Sequence, residues 1–255
     1  RPDMELIFSI CTLVNDRHHY SSFLRSAKAA GFVDNCEFLT VDNTSGKQTD
    51  AYLGLNRLIE KSSGRFVILC HQDIVFDFDN RKILEDRLIK LEKMDSNWGV
   101  CGVAGSKENG SAAIRITDHT GTDRHIGELP AQVIALDECF LLLKKGSGVR
   151  VSRDIKGFHL YGTDICIVAQ ALGYSSYAIN FHIRHLGSGR MGIDYFDSYN
   201  VFEEKWSTFM ADKHIVTSGA AVFLTGRSEP KVIKWLRASF VRKFRKLRRK
   251  WSNRL

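Results

Sequence analysis

Phe66-Val67-Ile68-Leu69-Cys70-His71-Gln72-Asp73-Ile74-Val75-Phe76 decides how the rest of the chain is read. An apolar run with β-branched content, Phe66 to Cys70, predicts a central parallel strand covered on both faces, and the polar triplet His71-Gln72-Asp73 interrupts it. In open α/β sheets, ligands bind beyond the carboxyl ends of the strands. His71 and Asp73 stand two residues apart, so on an extended segment they project to one side and can face a common ligand or divalent ion. Ordinary solvated residues at a strand end would give the same triplet, and only the surrounding chain decides between the two readings.

Upstream, Leu6 to Val14 predicts a strand, and Ser21-Ser22 offers caps for a helix that Gly31 ends. Cys36 to Val41 predicts a second strand, closed by Asp42-Asn43-Thr44-Ser45-Gly46, and Thr49 can cap a helix through Lys61 before Gly64 turns the chain into the strand at Phe66. This β-α-β-α-β order with right-handed crossovers predicts a parallel sheet. Its strand ends would gather Asn15-Asp16, Asp42-Asn43 and His71-Gln72-Asp73 on one edge.

Downstream, Asn80 caps a helix to about Met94 and Trp98 to Ala104 predicts a strand, while the polar stretch from Gly105 to about Pro130 carries no clear period. Gln132 to Leu136 and Cys139 to Leu143 predict short strands flanking Asp137-Glu138. Thr163 is a cap for a helix from Ile165 to Leu172, which puts Asp164 in the first turn, where the dipole favours its ionised form. Tyr177 to Phe181 predicts a last strand, ending near Arg184-His185 and followed by Gly187-Ser188-Gly189-Arg190.

The chain has 255 residues, 44% of them hydrophobic, enough for one large domain or one domain with an appendage. No run approaches the length of a transmembrane helix, and Arg1 to Glu5 lacks the apolar core of a signal peptide. Six scattered cysteines without a Cys-x-x-Cys pair predict small buried hydrophobes in a reducing compartment. The net charge of +8 is unevenly spread: eleven of the 37 Lys and Arg lie between Lys231 and Arg254, leaving 26 against all 29 acidic residues elsewhere. A slightly acidic body argues against a nucleic-acid binder, which needs basic and aromatic residues across the folded part. A sugar nucleotidyltransferase needs a Gly-rich phosphate loop after its first strand, and Thr12 to Arg17 has no glycine.

Taken in order, these landmarks resemble glycosyltransferases of the GT-A fold, above all the large family 2 of inverting enzymes, from about residue 6 to residue 190. Val41-Asp42-Asn43-Thr44-Ser45 resembles the family's V-D-N-x-S, Asn56 stands where an Asn precedes the Asp-x-Asp strand, and His71-Gln72-Asp73 occupies the Asp-x-Asp position with His for the first acid. Trp98 to Gly102, Asp137-Glu138-Cys139-Phe140, Gly157-Phe158 through Thr163-Asp164, and His185 ahead of Gly187-Ser188-Gly189 resemble the later landmarks.

The resemblance implies an α/β GT-A fold: a Rossmann-like, mostly parallel central sheet with flanking helices and a small antiparallel subsheet on the acceptor side. It implies a transferase domain over residues 1–228, with a nucleotide-sugar half to about 105 and an acceptor half beyond. It also implies Mn²⁺ or Mg²⁺ held by Asp73 and His185. The nucleotide-diphosphate sugar donor would meet Thr12, Asn15, Asp42, Asn56, His71, Gln72, Asp73, Asp137, Glu138 and Arg190. Asp164 would be the general base for a hydroxyl of a glycan or lipid-linked glycan, as in bacterial surface polysaccharide synthesis.

Residues 229–255 predict a further helix. At 100° per residue, Val232, Ile233, Leu236, Phe240, Phe244, Leu247 and Trp251 fall on one stripe with most Lys and Arg outside it. Such a helix suits an anionic membrane surface, and predicts a cytoplasmic protein bound peripherally to the inner face of the cell membrane.

Overall fold

The structure, a computed structural model, describes residues 7–188, 193–207, 213–216 and 221–224. The first half alternates as expected: β1 (Phe8–Val14), α1 (Arg17–Ala29), β2 (Cys36–Asp42), α2 (Ala51–Lys61) and β3 (Phe66–Cys70). Both early helices begin on an aspartate. Asp16 accepts from the amides of His18 and His19 at 2.8 and 2.9 Å, and Asp50 accepts from the Leu53 amide at 3.2 Å. Ser21-Ser22 and Thr49, the caps expected from sequence, are therefore corrected: the Ser21 hydroxyl donates back to the Arg17 carbonyl within the helix, because an ionised acceptor placed earlier satisfies the open amides first.

The chain continues through β4 (Ile74–Val75), α3 (Arg81–Met94, capped by Asn80), β5 (Trp98–Gly102), β6 (Ala104–Ser106), β7 (Ala112–Thr117), β8 (Asp123–Ile126), β9 (Ala131–Gln132), β10 (Ala135–Leu136) and β11 (Phe140–Lys144). There follow α4 (Tyr161–Ala171), β12 (Ser175–Ala178), β13 (Ile183–His185), α5 (Ile193–Trp206), β14 (Lys213–Val216) and β15 (Ala221–Leu224).

The central sheet runs β2-β1-β3-β11-β5-β12-β9. β1 pairs in parallel with β2 and β3, and β12 in parallel with β5, while β11 lies antiparallel between β3 and β5. The smaller sheet, β10-β6-β7-β13-β4 with β8 on the side of β7, is mostly antiparallel. The expected mixed α/β fold with a mostly parallel centre and an antiparallel subsheet is thus present. Residues 105–130, unreadable by period, supply most of that subsheet; β8 is an edge strand of exposed polar residues, held against β7 by the Arg115–Asp123 ion pair, and such an edge has no apolar alternation to betray it.

Alternation along β3 divides the core between two faces. Val67 and Leu69 pack with Tyr52, Leu55 and Leu58 of α2 and with Ile165 of α4, whereas Ile68 and Cys70 pack with Phe23 of α1, Leu84 and Leu88 of α3, and Trp98. Helices therefore cover both faces, and the C-terminal ends of β1, β2 and β3 remain as the open edge. All six cysteines are free and five are buried; burial pushes Cys11, Cys70 and Cys166 up to about 12, so these thiols stay protonated and unreactive. No helix among the described residues is long and apolar enough to cross a membrane. The C-terminal stripe from Val232 to Trp251 lies outside the described residues, as does Arg190.

Candidate functional site

A cleft of about 240 Å³ opens where β1, β2 and β3 end, lined by Asn15, Asn43, Gln48, His71, Gln72, Asp73, Phe158 and Tyr161 among others. The fold brings His185 to the same place from far along the chain, because β13 pairs antiparallel with β4 and sets His185 opposite Ile74. His71, Asp73 and His185 each offer a ligand atom, all within 4.8 Å of one another. His185 Nε2 lies 3.4 Å from Asp73 Oδ1 and His71 Nδ1 lies 3.8 Å from the same oxygen; the two rings are 5.5 Å apart.

The electrostatics suit a cation. Burial works against the Asp73 charge, but the two imidazoles outweigh it and hold the carboxyl down to about 2. Burial, then the nearby His185, lowers His71, so its ring is neutral and able to ligate. Burial also lowers His185, but the Asp73 carboxylate prevails and raises it. His185 Nε2 is buried and forms no proper hydrogen bond among the described residues. A Cβ on Gly187 would stand 2.5 Å from Asp73 Oδ2 and 2.9 Å from His185 Nε2, so only glycine lets the chain pass this close. An orphaned imidazole nitrogen beside an ionised carboxylate fits a divalent transition ion.

The other expected site residues separate into groups. Asn15, His71, Gln72 and Asp73 line the cleft. Gln72 also ties two strands together. Its Oε1 accepts from the amides of Asn15 and Asp16, both at 2.9 Å, and locks the end of β1 to the end of β3.

Thr12, Asp42 and Asn56 are not brought to the cleft wall. Thr12 is 1% exposed, with its hydroxyl against Cys70 Sγ. Asp42 accepts from the Thr44 amide and hydroxyl at 2.9 and 2.6 Å and pairs with Arg17 at 3.1 Å. Its neighbour Asn43 lines the cleft in its place, with a side chain that brackets the loop by bonding the Thr49 amide and carbonyl, each at 2.8 Å. Asn56 is buried and donates to the carbonyls of Val151 and Ser152.

Asp164 requires the largest correction. It is 0% exposed; its oxygens accept from the Ser152 amide at 2.7 Å, the Ser152 hydroxyl at 2.6 Å and Trp206 Nε1 at 2.9 Å. Burial pushes its pKa up, and the bonds from Ser152 and Trp206 pull against that. This carboxyl anchors α5 to α4 and does not face the cleft. The helix begins ahead of Asp164, at Tyr161, and Thr163 is not its cap. Leu160 precedes the helix in the left-handed region at φ 68°, a costly conformation for a branched residue. That turn aims Tyr161 at the cleft, where its hydroxyl lies 2.8 Å from His71 Nε2.

Asp137 and Glu138 sit in the β10–β11 connection and are not among the residues that line the cleft; Glu138 lies behind Tyr161, whose hydroxyl donates to its carbonyl at 3.4 Å. Gly162 packs so tightly that an added Cβ would collide with the Leu136 carbonyl and stand 3.2 Å from Glu138 Cγ. Burial and the neighbouring Asp137 push Glu138 up to about 8, against the pull of the amides of Leu160, Gly162 and Tyr161. Asp137 accepts from the Cys139 amide at 3.0 Å. Sequence reasoning placed Asn43 on the strand-end edge and Phe158 and Tyr161 within a landmark segment but gave none of them a site role, and it missed Gln48 as a cleft residue; no periodic signal marks Gln48 in its loop.

The fold, a mostly parallel sheet flanked by helices with a cleft at its strand ends, is a mixed α/β fold similar to those of glycosyltransferases. Among solved structures, a mannosyltransferase from Pyrobaculum calidifontis in complex with GDP-Man and Mn²⁺ superposes with a TM-score of 0.52 at 12% identity, over 81% of this chain and 63% of that one, so the chain spans less than two thirds of that protein's length. TarS of S. aureus, residues 1–349, gives a TM-score of 0.46 at 14% identity over 78% of this chain and 64% of that one. A scan against models of known protein families finds no match. By sequence, the chain belongs to the same family as the ATP synthase subunits region ORF 6 protein of Fuscovulum blasticum, with 38% identity over 194 residues that cover 73% of this chain and 78% of that protein.

Proposed function

We propose that the chain is a divalent-cation-dependent glycosyltransferase of the inverting family 2 type, transferring a sugar from a nucleotide-diphosphate sugar to a hydroxyl of a glycan or lipid-linked glycan. The observation that carries this is the meeting of His71, Asp73 and His185 within 4.8 Å at the open edge of the parallel strands, beside a cleft lined by His71 and Asp73. The likeness in fold to a mannosyltransferase that holds GDP-Man and Mn²⁺ supports it.

Asp73 and His185 would hold the cation, which supplies positive charge to a leaving nucleotide diphosphate. The remaining chemistry belongs to the chain. Asn15, Asn43 and Gln48 offer amide groups to a nucleoside in the cleft, and Phe158, 38% exposed there, offers a ring face. An acceptor hydroxyl has a pKa far above 7 and must lose its proton during attack. With Asp164 sealed behind Ser152 and Trp206, we assign that role to Glu138, which stands at the start of α4 behind the cleft residue Tyr161, whose hydroxyl donates to its carbonyl at 3.4 Å. Direct attack by the hydroxyl inverts the sugar carbon.

The setting we propose is bacterial surface polysaccharide synthesis on the inner face of the cell membrane, with residues 229–255 as a basic amphipathic helix on anionic lipid. Its support is sequence alone: eleven Lys and Arg with no acid from Lys231 to Arg254. Ending the chain at Glu229 should abolish sedimentation with acidic vesicles and leave transfer to a soluble acceptor intact; equal vesicle binding by both forms would refute the placement. For the activity itself, a panel of nucleotide-diphosphate sugars with Mn²⁺ should show release of nucleotide diphosphate from one of them, abolished by EDTA and by Asp73→Ala. Release that persists in EDTA would contradict the proposal.

A further inference from the structure

We infer that His71 is a third protein ligand of the cation, through Nδ1, and that Tyr161 and the Glu138 carbonyl fix the tautomer this requires. The inference rests on the cation-dependent reading above and deepens it, since the resemblance implies only Asp73 and His185 as ligands and places an acid where this chain has His71.

The spacing comes first. His71 Nδ1 and His185 Nε2 approach one oxygen, Asp73 Oδ1, at 3.8 and 3.4 Å. These gaps are long for a hydrogen bond; atoms bound about 2.1 Å from one metal ion lie roughly 3 to 3.6 Å from each other, a range that the 3.4 Å gap meets and that the 3.8 Å gap exceeds slightly, so His71 must close in on the ion. The three side chains stand as donors around a shared centre more than as partners of one another.

The second nitrogen of His71 sets the chemistry of the first. Nε2 is 2.8 Å from Tyr161 Oη, and the Tyr161 hydroxyl donates to the Glu138 carbonyl at 3.4 Å. The Glu138 carbonyl gives the hydroxyl proton an acceptor, which leaves Tyr161 Oη able to accept from Nε2–H when a cation takes Nδ1. A neutral ring with its proton on Nε2 carries its lone pair on Nδ1, facing Asp73. Metal-bound histidines commonly donate their other N–H to an oxygen in this way, and removing such a partner weakens binding about 10- to 100-fold. Tyr161 is thus a positioning residue. Its aim depends on the left-handed turn at Leu160, and Gly187 passes close to Asp73 and His185, where a Cβ would stand 2.5 Å from Asp73 Oδ2.

Two imidazoles and one carboxylate form a site that takes Mn²⁺, Co²⁺ or Zn²⁺ in preference to Mg²⁺. With three ligands of its own, the chain binds the ion before any nucleotide arrives.

Titration of the protein with Co²⁺ alone, without nucleotide, followed by visible absorption and calorimetry, tests this. One Co²⁺ per chain is expected, bound about 10-fold or more tightly than Mg²⁺. His71→Ala should weaken Co²⁺ binding about 10-fold or more, and Tyr161→Phe, which keeps the ring and its packing, should weaken it by about 10-fold. His71→Asp should retain binding but narrow the preference for Co²⁺ over Mg²⁺. Circular dichroism of each variant separates lost ligation from lost folding. Absence of Co²⁺ binding by the wild type without nucleotide, or unchanged affinity in folded His71→Ala and Tyr161→Phe, overturns the inference. A protein that fails these tests but still transfers sugar with a cation keeps the proposed function, while one that passes them and transfers nothing loses that function and keeps the site.

Discussion

Two aspartates that sequence treats as equals, Asp73 after β3 and Asp164 in the first turn of α4, have opposite fates in the fold. Asp73 lines the cleft between two imidazoles. Asp164 is 0% exposed and bonded to Ser152 and Trp206. Both sit at an element's end and both fit a family landmark. What separates them is the partner each element meets: the ends of β1 and β3 line an open cleft among the described residues, whereas α5 lies over α4 and turns its indole and Lys205 inward. An acid's place in a motif therefore indicates that it matters, and the packing of its neighbours decides whether it does chemistry or holds helices together.

The largest effect that separates the two should come from Asp73→Ala. Removing it should lower transfer by roughly 100- to 1,000-fold or more, in line with the loss of electrostatic stabilisation at a reacting centre. Its melting temperature should fall by less than that of Asp164→Ala, since the Asp73 side chain is 21% exposed whereas Asp164 is 0% exposed. Asp164→Ala should do the reverse. It leaves the Ser152 amide and the Trp206 N–H buried without an acceptor, which should cost about 3 to 5 kcal/mol and lower the melting temperature by about 10 °C. At temperatures where the variant is folded, its donor affinity should be close to that of the wild type. A stable but inactive Asp164→Ala would return this residue to the chemistry and erase the contrast.

Much of this was legible in advance, for identifiable reasons. The strand at Phe66 to Cys70, the helix from Asn80 to Met94 and the β-α-β-α-β order follow from period and capping residues that local physics enforces. So does the grouping of Asn15, His71, Gln72 and Asp73, because parallel strands end together. The place of Thr12, Asp42 and Asn56 depended on which side of a strand or helix faced the cleft, and a shift of one residue puts Asn43 there in place of Asp42. Asp164 was misplaced because the contacts that bury it come from Trp206, 42 residues later, beyond the reach of any local pattern. The antiparallel insertion of β11 between β3 and β5 is equally non-local.

Glu138→Gln probes the same contrast at an intermediate scale. Transfer should fall about 100-fold, and the wild-type rate should climb with pH towards about 8 as the Glu138 carboxyl ionises. Stability should run the other way. A carboxyl whose folded pKa is raised from 4.5 to about 8 adds stability that is fully present below 4.5 and is lost as the pH rises through 8. Denaturant unfolding of the Gln variant should therefore show a flatter pH dependence over that window; an unchanged slope would remove Glu138 as a raised-pKa group. The smallest effect should come from Arg17→Ala. The Arg17–Asp42 pair has side chains 77% and 60% exposed, so its loss should leave the unfolding midpoint and the transfer rate close to those of the wild type, as solvent screening predicts for an exposed pair.

Thermal stabilisation by a nucleotide-diphosphate sugar, with Mn²⁺ or with EDTA, in the wild type, Asp73→Ala and Asp164→Asn, bears most directly on the division between the two aspartates. A donor at 100 times its dissociation constant adds about 2.7 kcal/mol. That gain is expected with Mn²⁺ in the wild type and in folded Asp164→Asn, and should disappear in EDTA or in Asp73→Ala. Equal stabilisation with EDTA, or a loss in Asp164→Asn as complete as in Asp73→Ala, would contradict a cation-held donor site built on Asp73.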